Sequence, residues 1–513
     1  MLPLLTAQQI RDADAYTIKH EPITSVDLME RAAKAFTSYF IQQYPERTKP
    51  VAIYCGTGNN GGDGLAIAQL LHFSGYYGVT VKIARFSDKV SDDFEVNFKS
   101  LQQTGISISE LKSTGDLPQE NSDIIIDALL GSGLNKPLTG DYKKLVEFLN
   151  GLEKTIVSVD VPTGFFTDGE VKTDAVTIKA ELVITFQQPK INFLLPESAS
   201  AIKRWQAVDI GIDDDFTLSL NSPYQFVEES DIRKMLKSRH RFSNKGTYGH
   251  ALLIAGQDKT MGAALLCSSA SAYAGSGLTT VCVPESGLTA INTYMPELMA
   301  IIRKGTKLPE IDWKQFTAIG IGPGLGKDEH ALAVLKDVLT NYKKPVVIDA
   351  DALNLLAAHK ILWKKIPTGT ILTPHMKEFD RLFGDHENWQ QRIKTGIEKA
   401  RELEVNILLK NDYTIIFTPD GKVYFNSTSN QAMATGGMGD VLTGIITSLV
   451  AQKYSPEEAC IIGAYIHGKA GDELALPDYK NVIMPAELAK QLPITMAGLL
   501  KQKTGASISR PFL

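Results

Sequence analysis

Cysteine is scarce in this 513-residue chain, with four in all, each standing alone at Cys55, Cys267, Cys282 and Cys460. None forms a C-x-x-C pair or a zinc-ligand spacing, which excludes a disulfide scaffold, a zinc module and a dithiol redox centre. The settings YCG, LLCSS, TVCVP and EACII read as reduced, buried thiols. Charge of one sign is also missing: 53 Lys and Arg against 58 Asp and Glu leave a net −5, no footprint for nucleic acid or an anionic membrane. The one basic run, RHRFSNK at 239–245, reads equally well as a solvated segment entering a domain or as a phosphate contact. No apolar stretch approaches the roughly 20 residues of a membrane helix. The opening MLPLLTAQQIRDAD has no basic start followed by a long apolar core, so no secretory leader is expected and a reducing cytoplasm is. Partners are expected to be small molecules and further copies of the chain, a homo-oligomer, with neither nucleic acid nor membrane.

What is present is a globular composition, 43% hydrophobic with 41 glycines, in a chain too long for one ordinary core. Helical spacing of apolar residues marks TAQQIRDADAYTIKH and TSVDLMERAAKAFTSYFIQQY, each opened by a threonine able to cap. Short, almost continuously apolar runs then follow: VAIYC, VTVKIA, SDIIIDALL, TIVSVDV, ELVITF and QAVDI. They have the character of parallel strands buried on both faces, alternating with helices such as GLAIAQLLHFSG. The pattern weakens over GIDDDFTLSLNSPYQF at 211–226 and resumes with HALLIAG, LTTVCV, FTAIGIGPG, PVVIDADAL, GTILTPH, NILLKN and TIIFTPDG, closing in helices. The halves share no repeat. The reading is α/β throughout, an N-terminal domain over 1–220 with a Rossmann-like doubly wound sheet fused to a different α/β domain over 226–513.

In open parallel sheets the ligand crevice lies beyond the carboxyl ends of the strands. Four loops of the first half occupy such ends: GTGNNGGDG, DALLGSGLNKPLTG, DVPTGF and FQQPK. Asn60, Asp127 and Thr163 would supply hard oxygen ligands for an alkali or alkaline-earth cation. Lys136 and Asp160 would supply a cation and a carboxylate for proton transfer. A plainer reading stands beside these, a tight turn capped by Asp63 with Lys136 merely solvating a loop.

Together, NNGGDG, GSGLNKP and DVPTG resemble the NAD(P)H-hydrate epimerase domain, across residues 1–215. The resemblance implies interconversion of the two configurations of NADH or NADPH hydrated on the nicotinamide ring. It implies that Asn59, Asn60, Gly61, Gly62 and Asp63, with Gly131, Ser132, Gly133, Leu134, Asn135, Lys136 and Pro137, hold the hydrate. It further implies a potassium ion on Asn60, Asp127 and Thr163, the last where family members often carry serine. Asp160 is suited to steady the ring cation formed when the hydroxyl departs, with Lys136 donating to the leaving oxygen.

In the second half a glycine run meets a carboxylate at a helix start, ATGGMGDVLTGIITSLVAQ. Free N–H groups there would receive an anion, and Asp440 would accept a proton from an attacking hydroxyl, equipment for phosphoryl transfer. An aspartate-capped helix is the plainer alternative. With KGTYGH, GPGLG, DAD, TPHMKEF and LKNDYT, this stretch resembles the nucleotide-dependent NAD(P)H-hydrate dehydratase, a ribokinase-like family, over residues 226–505. The resemblance implies hydrate contacts at Ala263, Gly324, His375 and Asp440, nucleotide contacts at Lys410, Asn411, Asp412, Tyr413, Thr414 and Gly439, and magnesium with the nucleotide. Fusion of the two domains favours ADP. Met438 stands where relatives carry threonine, and NQAM at 430–433 replaces their asparagine-proline-glycine run, which predicts a looser phosphate loop. The expected activity is cofactor repair, epimerising the R and S hydrates and dehydrating the S form at the expense of ADP, which yields AMP and phosphate. The competing reading is a ribokinase-like small-molecule kinase with a regulatory nucleotide-binding N-terminal domain. A non-catalytic nucleotide-sensing scaffold is a third, and it leaves Lys136, Asp160 and Asp440 unexplained.

Overall fold

The computed structural model describes residues 1–501 apart from 118, 135, 173, 305–307 and 477–479. The chain forms two compact units, Leu2–Ser222 with Asn388–Gln390, and Met1 with Pro223–Glu387 and the chain from Gln391 onward. Among the described residues no helix is long and apolar enough to cross a membrane. All four cysteines are free and buried.

The first unit is a seven-stranded sheet in which every neighbouring pair is parallel, in the order Ser107–Leu111, Val79–Ala84, Val51–Cys55, Ile124–Ala128, Thr155–Val159, Leu182–Phe186 and Trp205–Val208. The continuous apolar character of the strands is explained by the two faces. Val51, Ile53 and Cys55 pack into one core with Phe36 and Leu65, while Ala52 and Tyr54 pack into the other with Leu145 and Leu149. Chain order reverses at Val51–Cys55, which lies between a later strand on each side, so the crevice of this sheet opens beyond Cys55 and Ala128.

The helix after Cys55 begins earlier than its sequence suggests. It runs Asn59–Phe73, capped by Gly58 without any side-chain bond, so NNGGDG is helix rather than loop and Asp63 is not the cap. Its glycines set the packing distance. A Cβ at Gly61 would lie 1.9 Å from the Gly56 carbonyl oxygen, and one at Gly64 would lie 2.6 Å from Ala128 Cβ. Bare backbone there brings the helix N-terminus down onto the switch point.

The second unit is built on Tyr224–Val227, Val423–Asn426, Ile415–Phe417, Asn406–Leu409, Ile371–Leu372, Val346–Ile348, Ala318–Ile321, His250–Ile254, Leu278–Pro284 and Met299–Arg303, in that spatial order. The pairs are parallel from Asn406–Leu409 through Met299–Arg303, and Ile415–Phe417 is antiparallel to both its neighbours. Tyr224–Val227 begins inside the stretch read from sequence as a boundary, where its alternation is too short to register. Helices Met261–Tyr273 and Met438–Ala451 meet at close range, since a Cβ on Gly444 would stand 2.1 Å from the Cys267 carbonyl oxygen.

That contact is between backbone and backbone, so no side chain can give way. Gly444→Ala should therefore lower the stability of the second unit by about 1–3 kcal/mol, read as a fall in its urea midpoint. An unchanged midpoint would show that the two helices separate freely.

Candidate functional sites

At the switch point of the first unit lies a cavity of about 370 Å³ whose wall includes Asn59, Asn60, Asp63, Gly131, Ser132, Gly133 and Asp160. Gly61 and Gly62 are buried behind it and act through packing. Leu134, Lys136 and Pro137 are not part of the wall, and Asn135 lies outside the described residues. Lys136 is exposed, so the geometry does not bring it to Asp160. The cation beside Asp160 is instead Lys190, from FQQPK at the end of the next strand, with Nζ 2.8 Å from Asp160 Oδ1 and its side chain 2% exposed.

Asp160 is held from several sides. It has a positive φ of 59°, and its Oδ1 accepts from Thr185 Oγ1 and from the Phe186 amide, each at 3.0 Å. A non-glycine residue in this region carries backbone strain, tolerated where surrounding bonds fix it. Two further carboxylates face the same cavity, Asp63 and Asp14, the latter on helix Ala7–His20. Burial pushes the Asp14 carboxyl up to about 6, helped by the Asp160 charge. It raises Asp63 well above the ordinary range, again with Asp160 contributing. Asp14 was invisible in the sequence because it sits in an ordinary amphipathic helix.

Asp127 and Thr163 lie beneath the cavity, both completely buried. Asp127 Oδ1 accepts from Thr163 Oγ1 at 2.7 Å, and Oδ2 accepts from the Thr163 amide at 2.9 Å and from Ser158 Oγ at 2.8 Å. Burial still raises the Asp127 carboxyl despite these donors. Asn60 Oδ1 stands 3.2 Å from where a Gly131 Cβ would be, and its Nδ2 is buried with no hydrogen-bond partner among the described residues. A desolvated carboxylate bonded to a buried hydroxyl offers the hard oxygen donors that a monovalent cation takes.

The second unit has a cavity of about 460 Å³ at its own strand ends, lined by Lys410, Asn411, Asp412, Thr414, Gly439, Met438 and His467 among others. Tyr413 is not in its wall. Of the expected hydrate contacts, Ala263 and Gly324 adjoin each other, a Cβ on Gly324 lying 3.0 Å from that of Ala263. His375 caps helix Met376–Phe383, its Nδ1 accepting from the Lys377 and Glu378 amides. Its neighbour across the sheet is Lys410, whose amide donates to the Pro374 carbonyl at 2.9 Å.

Lys410 Nζ is 2.9 Å from Asp349 Oδ1, and Asp349 Oδ2 accepts from Thr443 Oγ1 at 2.7 Å. Ala350, next in chain, has φ 48°. The pairing of residues 349 and 410 could not be read from two separate short motifs. Asp440 lies in the first turn of Met438–Ala451, whose cap is Gly437 at φ 100° with no side-chain bond, so the aspartate-cap reading fails. Burial pushes the Asp440 carboxyl up to about 7, with the Asp349 charge adding to the rise and Lys410 opposing it. Met438 is 6% exposed and packs into the core, which anchors the loop that sequence had suggested was loose.

Residues 25–192 match the model of the YjeF-related protein N-terminus, and residues 251–494 match that of NAD(P)H-hydrate dehydratase. The bifunctional NAD(P)H-hydrate repair enzyme Nnr of Moorella thermoacetica is 32% identical, over 97% of this chain and 97% of its own. The Nnr of Coxiella burnetii is 33% identical over 96% and 99%. An ADP/ATP-dependent NAD(P)H-hydrate dehydratase of Bacillus subtilis, co-crystallised with ATP and Mg2+, is 34% identical with a TM-score of 0.49, covering 54% of this chain and 98% of that one. With two separate carboxylate-bearing crevices, one in each matched region, the chain belongs to the family of bifunctional NAD(P)H-hydrate repair enzymes.

Proposed function

We propose that residues 1–220 epimerise hydrated NADH and NADPH, and that residues 226–513 dehydrate the S form at the expense of ADP. What supports this most directly is that each unit sets a carboxylate beside a strand-end lysine: Asp160 against Lys190 in the wall of the first cavity, and Asp440, in the first turn of Met438–Ala451, within the influence of Lys410, which lines the second.

In the first unit, expulsion of the hydroxyl by the ring nitrogen leaves a delocalised cation that water can re-enter from either face. Asp160, fixed by Lys190 and Thr185, steadies that cation and orients the water. The role first given to Lys136, donation to the departing oxygen, passes to groups in the cavity wall: the Lys190 ammonium, or a carboxyl whose affinity for a proton burial raises, as at Asp14 and Asp63. Asn60, Asp127 and Thr163 would hold potassium, whose positive charge would relieve the buried Asp127 carboxylate and fix the loop carrying Gly131.

In the second unit, Asp440 takes the proton from the hydrate's hydroxyl as its oxygen attacks the terminal phosphorus of ADP. AMP departs, and the substrate gains a phosphate ester. The ring nitrogen then expels phosphate, and loss of a proton from the adjacent ring carbon restores the dihydronicotinamide. Lys410 and the amides near Gly439 receive the phosphate charge. Magnesium with the nucleotide would offset the phosphate charge during transfer. Asp349 and Asp351, close enough for their charges to reach Asp440, are suited to supply carboxylates for the ion, which leaves Asp440 as the base.

Three outcomes test these assignments. Asp440→Asn should lower dehydration by about a hundredfold to ten-thousandfold and leave epimerisation intact, while Asp160→Asn should do the reverse, assayed on separated epimers by chromatography and dihydronicotinamide absorbance. If either variant, still folded, lost both activities, the two-site assignment would be wrong. Epimerisation should also slow when lithium replaces potassium, and an unchanged rate would remove the ion.

The third concerns pH. The active form of Asp440 is ionised, so kcat/KM for dehydration should rise through about pH 7 and level off above it. Asp349→Asn removes a like charge and frees Lys410 to act on Asp440, and both changes lower the Asp440 pKa. The acid limb should move to lower pH, and a limb that stayed in place would rule out Asp440 as the titrating base.

A further inference from the structure

The turn that carries Lys190 also carries a side chain with no explained purpose. Gln188 is 2% exposed and lines the first unit's cavity, yet among the described residues neither its Nε2 nor its Oε1 has a hydrogen-bond partner. A buried primary amide left unpaired at both ends is costly, and native structures keep such groups where a ligand completes them. The turn is built to hold it there. Gln187 before it sits at φ 62°, donating its amide N–H to the Val208 carbonyl at 2.7 Å while its Oε1 accepts from the Ile210 amide at 3.1 Å. Lys190 after it is pinned to Asp160. Gln188 is thus placed on the same short turn as the cation that fixes the proposed reaction-centre carboxylate.

The complement of a primary amide is another primary amide, since each offers one N–H donor edge and one carbonyl acceptor, and two can close a paired ring of hydrogen bonds. The hydrated nicotinamide ring carries one such group, its carboxamide, held by ring geometry at a fixed offset from the hydroxyl-bearing carbon. Resting on the epimerase reading of this cavity, we propose that Gln188 is a specificity-determining residue that pairs with the carboxamide of the hydrated nicotinamide. The pairing would set the hydroxyl-bearing carbon against Asp160. Rotation of the Gln188 amide exchanges its donor and acceptor ends, so the pair forms with either orientation of the carboxamide.

The test compares two substrates on two proteins. The substrates are hydrated NADH and the corresponding hydrate in which an acetyl group replaces the carboxamide, keeping the carbonyl but removing the N–H donor. The proteins are the wild-type chain and Gln188→Met, an apolar near-isostere. Wild type should favour the carboxamide substrate in kcat/KM by about tenfold to a hundredfold, and Gln188→Met should lose most of that preference by slowing the carboxamide substrate, which loses two hydrogen bonds, more than the acetyl one, which loses one. Because the substitution removes an unpaired buried amide, the unfolding temperature of the variant should hold or rise, an effect a structural role would not give. Equal slowing of both substrates, no slowing of either, or a wild type indifferent to the carboxamide would each overturn the proposal; the last needs no variant to fold. A wild type that epimerised neither substrate would instead remove the epimerase reading itself.

Discussion

Each unit sets one lysine against more than one buried carboxylate at the ends of parallel strands, and the chemistry of both sites follows from that imbalance. Lys190 holds Asp160 at 2.8 Å across neighbouring strands. Lys410 holds Asp349 at 2.9 Å from a strand one further away. In each case the lysine lies closest to one carboxylate, Lys410 reaching Glu378 only at 4.0 Å, and leaves others to feel both burial and a like charge. Asp14 and Asp63 in the first unit and Asp440 in the second are raised by burial first and by a fixed neighbouring aspartate second. A site with matched charges would hold its carboxylates ionised and inert. With one lysine among several carboxylates, burial and like charge raise Asp14 to about 6 and Asp440 to about 7.

The backbone shares in this arrangement. Parallel strands deliver their ends to one edge, but the turns that follow must bend sharply to aim side chains back over the crevice. Asp160, Gln187 and Ala350 accept left-handed φ values of 59°, 62° and 48° at those turns, without being glycine. Such strain persists only where other bonds outweigh it, and at Asp160 those bonds come from Thr185, Phe186 and Lys190. The same contacts that orient the carboxylate thus hold its backbone.

Much of this was legible in the residues. Strands buried on both faces betray themselves as unbroken apolar runs, and VAIYC, SDIIIDALL and TIVSVDV each contain the strand they suggested. Glycine was harder to interpret. NNGGDG looked like a loop, but Gly61 and Gly64 serve to seat a helix against Gly56 and Ala128, and whether a glycine admits a ligand or a neighbouring backbone is not encoded in its spacing. The choice between Lys136 and Lys190 was equally closed to sequence, since both follow strand ends and only burial separates them. Asp14 lies more than a hundred residues from the Asp160 whose charge it feels, and such a pairing is a product of the sheet order. At Met438 the family pattern suggested looseness, but a long apolar side chain at a helix start finds the core and closes the loop.

The two cavities differ in what must become of the leaving oxygen. In the epimerase reaction the hydroxyl departs and water returns, so departure and return must be equally easy, and a neutral acid beside a carboxylate serves both directions. On the proposed assignment, Asp14 and Asp63, raised by burial, beside Asp160, held by a cation, would give the first cavity that reversible character. In the dehydratase reaction the oxygen must not come back. Attaching it to phosphate first makes departure favourable and carries it away as an anion that Lys410 and a helix N-terminus can hold. One crevice cannot meet both demands, because a site that binds the departing anion strongly would stop the return of water. Each demand therefore has its own sheet, with its own lysine and its own set of carboxylates raised by burial.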